Sequence, residues 1–155
     1  MYRHFRILVA EDNPNDAFFL KRAFLRAGIN APMQFVDDGE QALSYLEGIT
    51  PYTNRQSFPL PNLMFLDLKM PKLDGFAVLR WVRQQPKLCR LPVMIFTSSG
   101  EPQDVNLAHE LGANAYTVKP SGPEELLDVV LAFERYWLRH HRYPSLTAET
   151  ELPPG

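Results

Sequence analysis

Five short apolar runs, each followed by a stretch with helical periodicity, constrain the fold of this chain more than any other feature. The runs cover residues 5–10, 33–36, 63–66, 92–96 and 115–118. The run at 63–66 is apolar at every position, which is typical of parallel strands covered on both faces. Alternating strands and helices joined by right-handed crossovers predict an open, doubly wound α/β sheet, whereas a closed barrel needs about eight such units. We therefore expect a three-layer sandwich with five parallel strands.

The stretches between these runs carry the boundary signals of helices. Asn13 can cap a first helix, Pro14 suits its first turn, and Gly28 can end it. Four further helices are predicted. Three of them span residues 40–47, 102–112 and 123–139, and the fourth follows the third apolar run and bears Phe76, Leu79 and Val82. Residues 48–62 are polar, contain three prolines and show neither the helical nor the strand periodicity of apolar residues. We therefore predict an extended loop there.

Composition and charge narrow the class of protein. A chain of 155 residues with a formal net charge of −2 fits one domain and has no basic footprint for nucleic acid or an anionic membrane. Its single cysteine, Cys89, excludes an internal disulfide and points to a reducing compartment. No apolar run approaches the ~20 residues of a membrane-spanning helix. We expect a cytoplasmic protein with one domain at residues 1–142 and a mobile, proline-containing tail at 143–155.

Charged and polar residues follow the predicted strands at the ends that meet at one edge of the sheet. Glu11 and Asp12 follow the first strand, Asp67 the third, Thr97 the fourth and Lys119 the fifth. In open α/β sheets, ligands bind beyond these strand ends. Two unit charges about 4 Å apart interact by ~4 kcal/mol at an effective dielectric of about 20, so converging carboxylates need either protonation or a bound cation. Because the nearby ligands are all oxygens, Mg²⁺ is the candidate ion.

The same residue types suit phosphoryl transfer. Asp67 is the candidate nucleophile, since a carboxylate can form an acyl phosphate. Lys119 would pair with a phosphoryl oxygen, and Thr97 would donate a hydrogen bond. In-line phosphoryl transfer asks the protein mainly for positioning and charge neutralisation, and these side chains supply both. The residues thus predict a Mg²⁺-dependent site that accepts a phosphoryl group on Asp67.

Four segments, taken in order, resemble the receiver domain of two-component response regulators. They read ILVAEDN at 7–13, LDLKMPKLDG at 66–75, FTSS at 96–99 and VKP at 118–120. Together they extend the resemblance over about residues 5–138. The resemblance implies a flavodoxin-like (βα)5 fold, with the parallel strands in the order 2-1-3-4-5.

The resemblance also implies how the metal is held. Asp67 would be the phosphoacceptor, with Asp12 as a direct Mg²⁺ ligand and Glu11 acting largely through water. The main-chain carbonyl of Lys69 would complete the metal ligands that the protein supplies. These roles come from the family, matched to this chain position by position.

Other matched positions would hold, report or tune the phosphoryl group. Thr97 would move towards it, and Tyr116 matches the aromatic residue that swings inward as this happens. Lys69 and Ser99 occupy two variable positions that tune the lifetime of the phosphoaspartate. Lys119 would pair with the phosphate, in a loop that a cis peptide bond to the following proline would hold rigid.

The loop before the third strand and residues 133–138 resemble stand-alone receivers that are paired with phytochrome-type histidine kinases. Such regulators tend to pair through the last helix, so we expect a homodimer, with a kinase and an unknown downstream protein as further partners. Phe133, Tyr136 and Trp137 are the candidate surface residues, although they could instead extend the face of the helix that packs on the sheet. Because no output domain follows the receiver-like residues, we expect output through protein contacts and none through nucleic acid.

Three rival functions compete with this interpretation. A phosphatase of the haloacid dehalogenase type would carry its nucleophile on the first strand, with a second aspartate two residues later, where this chain has Lys69. A flavodoxin-like cofactor carrier needs a phosphate-cradling loop after strand one, where Glu11 and Asp12 place negative charge. A receiver that works as a phosphorylation-independent docking module keeps the same residues and stays an open alternative. We expect a switch that takes part in its own phosphorylation and is not a turnover enzyme.

Overall fold

Five parallel strands form one sheet in the computed structural model of the protein, which describes residues 1–146. The strands are β1 Ile7–Ala10, β2 Met33–Val36, β3 Leu63–Leu66, β4 Val93–Thr97 and β5 Ala115–Val118. They are ordered β2-β1-β3-β4-β5, and every neighbouring pair is parallel. The predicted fold class and strand order are confirmed.

Helices cover both faces of this sheet. They are α1 Pro14–Arg26, α2 Gly39–Glu47, α3 Gly75–Gln84, α4 Pro102–Glu110 and α5 Pro123–Phe133. Successive residues of β1 point to opposite faces, so Leu8 packs in one buried cluster with α2 and α3, and Val9 packs in another with α1 and α5. All residues of β1 and β3 are buried, as their continuous apolar runs predict. Among the described residues, no helix is both long and apolar enough to span a membrane.

The last helix widens into a π-helical turn, Glu134–Leu138, where the sequence predicts an uninterrupted helix to residue 139. The main-chain N–H of Arg139 donates to the carbonyl of Glu134, five residues earlier, at 3.2 Å. The Glu134 carboxylate also accepts hydrogen bonds of 2.7 Å from Arg139 Nε and from the Tyr2 hydroxyl. These contacts at the end of the helix favour the wider turn.

The position of Phe133 corrects the predicted partner surface. Its ring is buried against Phe24 and Phe65, at centroid distances of 5.7 and 5.1 Å. Phe133 continues the apolar stripe of Leu126 and Val130, which are buried on the same face of α5. It is therefore a core residue, and the prediction that it lies on an exposed surface is wrong.

The loop at 48–62 is held against α2 and contains neither helix nor strand over this described range, as predicted. The guanidinium group of Arg55 donates to the carbonyl oxygens of Tyr45, Leu46 and Phe58 at distances of 2.8 to 3.1 Å. The Phe58 ring packs edge-on against Tyr45 at a centroid distance of 6.1 Å. These contacts fix the approach of the chain to β3.

Residues 143–146 pass from one helical layer to the other. The Tyr143 ring packs edge-on against Phe5, on the side of α1 and α5. Leu146 packs against the cluster on the opposite side, with α2 and α3. Residues 147–155 of the predicted tail lie outside the described residues, so the mobility of the tail and its boundary stay predictions.

Candidate functional site

The carboxylates of Glu11, Asp12 and Asp67 come together at the carboxyl edge of the sheet. One oxygen from each lies within 4.8 Å of the others. Glu11 and Asp67 are each only 5% exposed, because they follow the interior strands β1 and β3, whereas Asp12 is exposed. The fold thus gathers the three acids that the sequence predicts at this edge.

Main-chain hydrogen bonds hold the two buried acids. The N–H of Asp67 donates to the carbonyl of Ala10 and that of Glu11 to the carbonyl of Val36, at 3.1 and 3.0 Å. Glu11 Oε2 accepts the N–H of Asn13 at 3.1 Å, and Asn13 also caps α1. Because rigid elements hold these carboxylates, little ordering is needed when a ligand arrives.

Close approach of α3 to the end of β3 requires glycine at position 75. A Cβ at Gly75 would collide with main-chain atoms of Asp67 and Leu68. The Gly75 N–H donates to the carbonyl of Leu68 at 3.0 Å. The Asp74 carboxylate caps α3 by accepting the N–H of Ala77 at 2.9 Å. The first turn of α3 is therefore packed against the residue that we predict as the phosphoacceptor.

The ammonium group of Lys119 contacts three carboxylates at once. Its Nζ lies 2.6 Å from Glu11 Oε1, 2.9 Å from Asp67 Oδ2 and 2.9 Å from Asp16 Oδ2. Its main-chain N–H donates to the carbonyl of Thr97 at 2.7 Å, which continues the pairing of β4 with β5 beyond the strand end. Lys119 therefore links the ends of β1, β3 and β4 to the start of α1.

The peptide bond between Lys119 and Pro120 is trans, which corrects the expectation of a cis bond there. Among the described residues, the cis peptide bond is the one between Thr50 and Pro51. The lysine is held instead by its main-chain pairing with β4 and by its three carboxylate partners. A rigid position for Lys119 therefore does not depend on a cis bond.

Asp16 is the residue of this site that sequence reasoning missed. An acid in the first turn of a helix complements the helix dipole, and the sequence suggests only this role for Asp16. Its side chain also reaches Lys119, which lies 103 residues further along the chain. The available signal was that α1 begins at the same edge of the sheet where β1 ends.

Burial and ion pairing set the protonation of the groups at the centre of the site. Burial raises the pKa of Glu11 to about 7, although the hydrogen bond from Lys119 acts to lower it. Burial acts to lower the pKa of Lys119, but hydrogen bonds to Glu11, Asp16 and Asp67 raise it above the ordinary value for lysine. Lys119 is therefore charged at neutral pH and offsets part of the repulsion among the acids.

Thr97, the last residue of β4, is fully buried, and its Oγ1 has no hydrogen-bond partner within the described part of the chain. Buried hydroxyls almost always have a partner, and leaving one unpaired costs about 1–3 kcal/mol. Thr97 pairs in register with Val118, directly before Lys119. The hydroxyl is therefore suited to an acceptor that the chain does not supply, such as a phosphoryl oxygen.

Tyr116, Ser99 and Lys69, the predicted switch and lifetime positions, lie in or just beyond β5, β4 and β3. The Tyr116 hydroxyl donates to the carbonyl of Ser99 at 2.7 Å, and the Ser99 hydroxyl donates to Asp104 Oδ2 at 2.6 Å. Lys69 is exposed, and its main-chain N–H donates to Asp67 Oδ1 at 3.3 Å. These contacts place the residues, while their roles and that of the Lys69 carbonyl stay predictions.

The donor set fits a hard divalent cation. Glu11, Asp12 and Asp67 offer carboxylate oxygens that converge within 4.8 Å. Oxygen ligands suit Mg²⁺, which binds through one or two carboxylates and keeps waters that a phosphoryl oxygen can replace. The chemistry of the site therefore fits a divalent cation, and its identity as Mg²⁺ stays a prediction.

The chain is similar in sequence to regulatory proteins. Residues 7–131 match the family model of the response regulator receiver domain. The probable methanogenesis regulatory protein FilR2 of Methanothrix harundinacea is 34% identical over 141 residues, which cover 91% of this chain and 88% of FilR2. Response regulator Rcp1 of Synechocystis is 33% identical over 139 residues, which cover 90% of this chain and 92% of Rcp1.

Solved structures with the same fold include proteins of light signalling. Response regulator RPA3017, in red light signaling of R. palustris, has a TM-score of 0.86 and 35% identity. The phosphorylated cyanobacterial phytochrome response regulator RcpA has a TM-score of 0.84 and 30% sequence identity. The Mn²⁺-bound form of Rcp1 has a TM-score of 0.81 and 32% sequence identity. Each match covers 91% of this chain and 99% of the other. The chain therefore belongs to the response regulator receiver domains, as its four motifs predict, and the proteins similar to it include phytochrome response regulators.

Proposed function

We propose that this protein is a phosphoaspartate switch, which accepts a phosphoryl group on Asp67 from a histidine kinase in the presence of Mg²⁺. Membership of the receiver family supports two-component signalling. Similarity to a phytochrome response regulator supports a phytochrome-type kinase as the donor. One observation carries the site assignment: the buried carboxylate of Asp67 converges with those of Glu11 and Asp12, which together form the acidic cluster, and also contacts the ammonium group of Lys119.

Phosphoryl transfer would begin with attack of an Asp67 carboxylate oxygen on the phosphorus of a phosphohistidine. The new O–P bond makes Asp67 an acyl phosphate as the P–N bond breaks. The electron pair of the P–N bond returns to the imidazole nitrogen, which takes up a proton. Lys119 would pair with one phosphoryl oxygen. The unpaired hydroxyl of Thr97 would donate to another. Both side chains stabilise charge on the transferred group.

Glu11, Asp12, Asp67 and the main-chain carbonyl of Lys69 would hold the Mg²⁺ ion. The convergence of three carboxylate oxygens within 4.8 Å supports this site. The existence of an Mn²⁺-bound form of the similar protein Rcp1 also supports a divalent ion. When bound, the ion would supply positive charge to the oxygens of the incoming phosphoryl group.

Thr97 and Tyr116 would report phosphorylation to protein partners. As Thr97 moves towards the phosphoryl group, Tyr116 would exchange its hydrogen bond to the loop after β4 for an inward position. With Phe133 in the core, the candidate surface for a homodimer or another partner consists of Tyr136, which is 52% exposed, and the half-buried Trp137. Sedimentation of the phosphorylated and unphosphorylated chain would test whether the switch changes self-association.

A small phosphodonor provides the direct test of the site. Acetyl phosphate with Mg²⁺ should add one phosphoryl group to the chain, measured by intact-mass spectrometry, and chelation of Mg²⁺ should prevent it. Asp67→Asn should abolish the modification, because an amide cannot form the acyl phosphate. Asp37→Asn is the matched control, since Asp37 is an exposed aspartate that follows β2 at the same edge and should not matter.

The outcomes separate the rival functions. Equal modification of Asp67→Asn and the wild type would refute the site assignment. A wild-type chain that accepts no phosphate from acetyl phosphate or from any of a panel of histidine kinases would favour the phosphorylation-independent docking module. Within that panel, faster transfer from phytochrome-type kinases is the result that supports the proposed pathway.

A further inference from the structure

We propose that Asp16 is a positioning residue of the phosphorylation site, whose carboxylate tethers the ammonium group of Lys119 while Glu11 and Asp67 change their partners. This inference rests on the function proposed above and adds a residue to it. Asp16 would touch neither the metal nor the phosphoryl group. It would act through Lys119 alone.

The contacts of Lys119 divide into two kinds. A lysine ammonium group has three N–H donors, and Glu11, Asp67 and Asp16 accept one each at 2.6, 2.9 and 2.9 Å. Glu11 and Asp67 belong to the acidic cluster with Asp12, and Asp16 stands outside it. When an ion binds the cluster and Asp67 becomes phosphorylated, the contact with Asp16 is the one that need not be given up.

The carboxylate of Asp16 is well placed to hold its position. Asp16 is the third residue of α1, and Asn13 Oδ1 caps this helix by accepting the N–H groups of Asn15 and Asp16 at 2.9 and 3.2 Å. The Asp16 side chain is 36% exposed, compared with 6% for Asp67. Water therefore solvates part of the Asp16 carboxylate, whereas the Asp67 carboxylate lies in the buried part of the site.

A tether matters because lysine is flexible. Its ammonium group sits on a four-carbon stem and must be oriented by its contacts. If two of the three contacts of Lys119 are released during phosphorylation, the remaining one decides whether the charge stays near the phosphoryl oxygens or swings into solvent. Holding a charged group in place before the reaction lowers the barrier to the chemical step.

The first test compares phosphorylation rates. Asp16→Asn should lower the rate with acetyl phosphate by about tenfold, the size expected for one charged hydrogen bond that is lost from a reacting arrangement. Calorimetry should show the same Mg²⁺ affinity for this variant as for the wild type. Asp16→Glu should recover part of the rate. The matched control is Glu124→Gln, which removes a 77% exposed carboxylate from its ion pair with Arg26 and should react like the wild type.

The second test asks whether Asp16 acts through Lys119. In a Lys119→Met background, Asp16→Asn should cause no further loss of rate, because the tethered group is gone. In the metal-free chain, the NMR signal of the Lys119 ammonium protons should be sharp in the wild type and broadened by solvent exchange in Asp16→Asn. A merely structural role for Asp16 would instead give an equal loss of rate with and without Lys119 and would leave the ammonium signal sharp in Asp16→Asn.

Each result bears on one of the two proposals. A wild-type rate in Asp16→Asn, or an equal loss with and without Lys119, would overturn the tether. A tenfold loss of Mg²⁺ affinity in Asp16→Asn would also overturn it, by placing Asp16 in the metal site. If the wild type accepts no phosphate, the proposed function fails, and the ammonium signal in the metal-free chain still decides whether Asp16 tethers Lys119.

Discussion

The amino ends of the parallel strands form one edge of the sheet, and their carboxyl ends form the opposite edge. Each of these edges holds a cation among oxygen atoms, and the two edges differ in the charge of those oxygens. At the amino edge, the guanidinium group of Arg83 donates to the carbonyl oxygens of Cys89, Leu91 and Gly112 and to the amide oxygen of Asn114, at 2.6 to 3.1 Å. These partners are neutral and come from the loops that lead into β4 and β5. Arg83 therefore joins three neighbouring segments, and its partners have no role other than to be bonded.

At the carboxyl edge, the cation is Lys119 and its partners are three carboxylates. Two of these also belong to the acidic cluster, and the hydroxyl of Thr97 on the adjacent strand has no partner within the described residues. Each of these groups could bind something else. The comparison teaches that this fold places permanent, neutral contacts at one edge and exchangeable, charged contacts at the other.

Removal of the cation at the amino edge should have the largest effect on stability. Arg83→Met should lower the free energy of unfolding by about 3 kcal/mol, because several carbonyl groups lose a charged donor at once and an unsatisfied buried acceptor costs about 1–3 kcal/mol. Urea denaturation would measure the loss. Arg80→Met, an exposed position on the same helix, should change stability by less than about 0.5 kcal/mol. Equal stability of the two variants would contradict the role of Arg83.

Removal of the cation at the carboxyl edge should cost less and should be reversible by metal. Breaking a buried ion pair typically costs about 3–5 kcal/mol, but we expect about 2 kcal/mol for Lys119→Met. Glu11, whose pKa burial raises to about 7, can take up a proton and relieve part of the remaining repulsion. Mg²⁺ should close most of the stability gap between Lys119→Met and the wild type, because the ion and Lys119 neutralise the same carboxylates. Arg83→Met keeps these carboxylates, so Mg²⁺ should stabilise it and the wild type equally and leave the gap between them unchanged. Denaturation of the three chains with and without Mg²⁺ checks this, and equal closing of both gaps would refute the contrast.

The smallest expected effect concerns the unpaired hydroxyl at the carboxyl edge. Thr97→Val should raise the free energy of unfolding by about 1 kcal/mol, since it replaces an unsatisfied buried hydroxyl by a methyl group on a strand. Thr97→Ser keeps the hydroxyl, loses a buried methyl group, and should lower stability by roughly 0.8 kcal/mol. Thermal unfolding of the unphosphorylated chain would measure both, and destabilisation by Thr97→Val would show that the hydroxyl has a partner after all.

The sequence predicted the strands and the helix starts because their signals are local. The apolar run at 63–66 is β3, and the cap at Asn13 begins α1 as expected. Strand order came from the family resemblance, since apolar runs do not reveal which strands are neighbours. Phe133 was assigned to the surface in error because an aromatic residue on an amphipathic helix suits either a core or an interface, and only packing against Phe24 and Phe65 distinguishes them.

The acids and the lysine of the site could be predicted because strand ends share an edge. Contacts that depend on side-chain reach could not. Asp16 and Lys119 are 103 residues apart and meet only in the folded protein. Arg83 bonds mainly to main-chain carbonyl groups, which every residue carries, so no pattern in the sequence marks its partners.

The path of residues 143–146 has a practical consequence for work with this protein. Tyr143 covers Phe5 on one side of the sheet, and Leu146 covers apolar side chains on the other. A chain shortened after residue 142 would uncover both places and invite aggregation. Affinity tags and fluorescent reporters therefore belong beyond residue 146, where they leave this brace between the two helical layers intact.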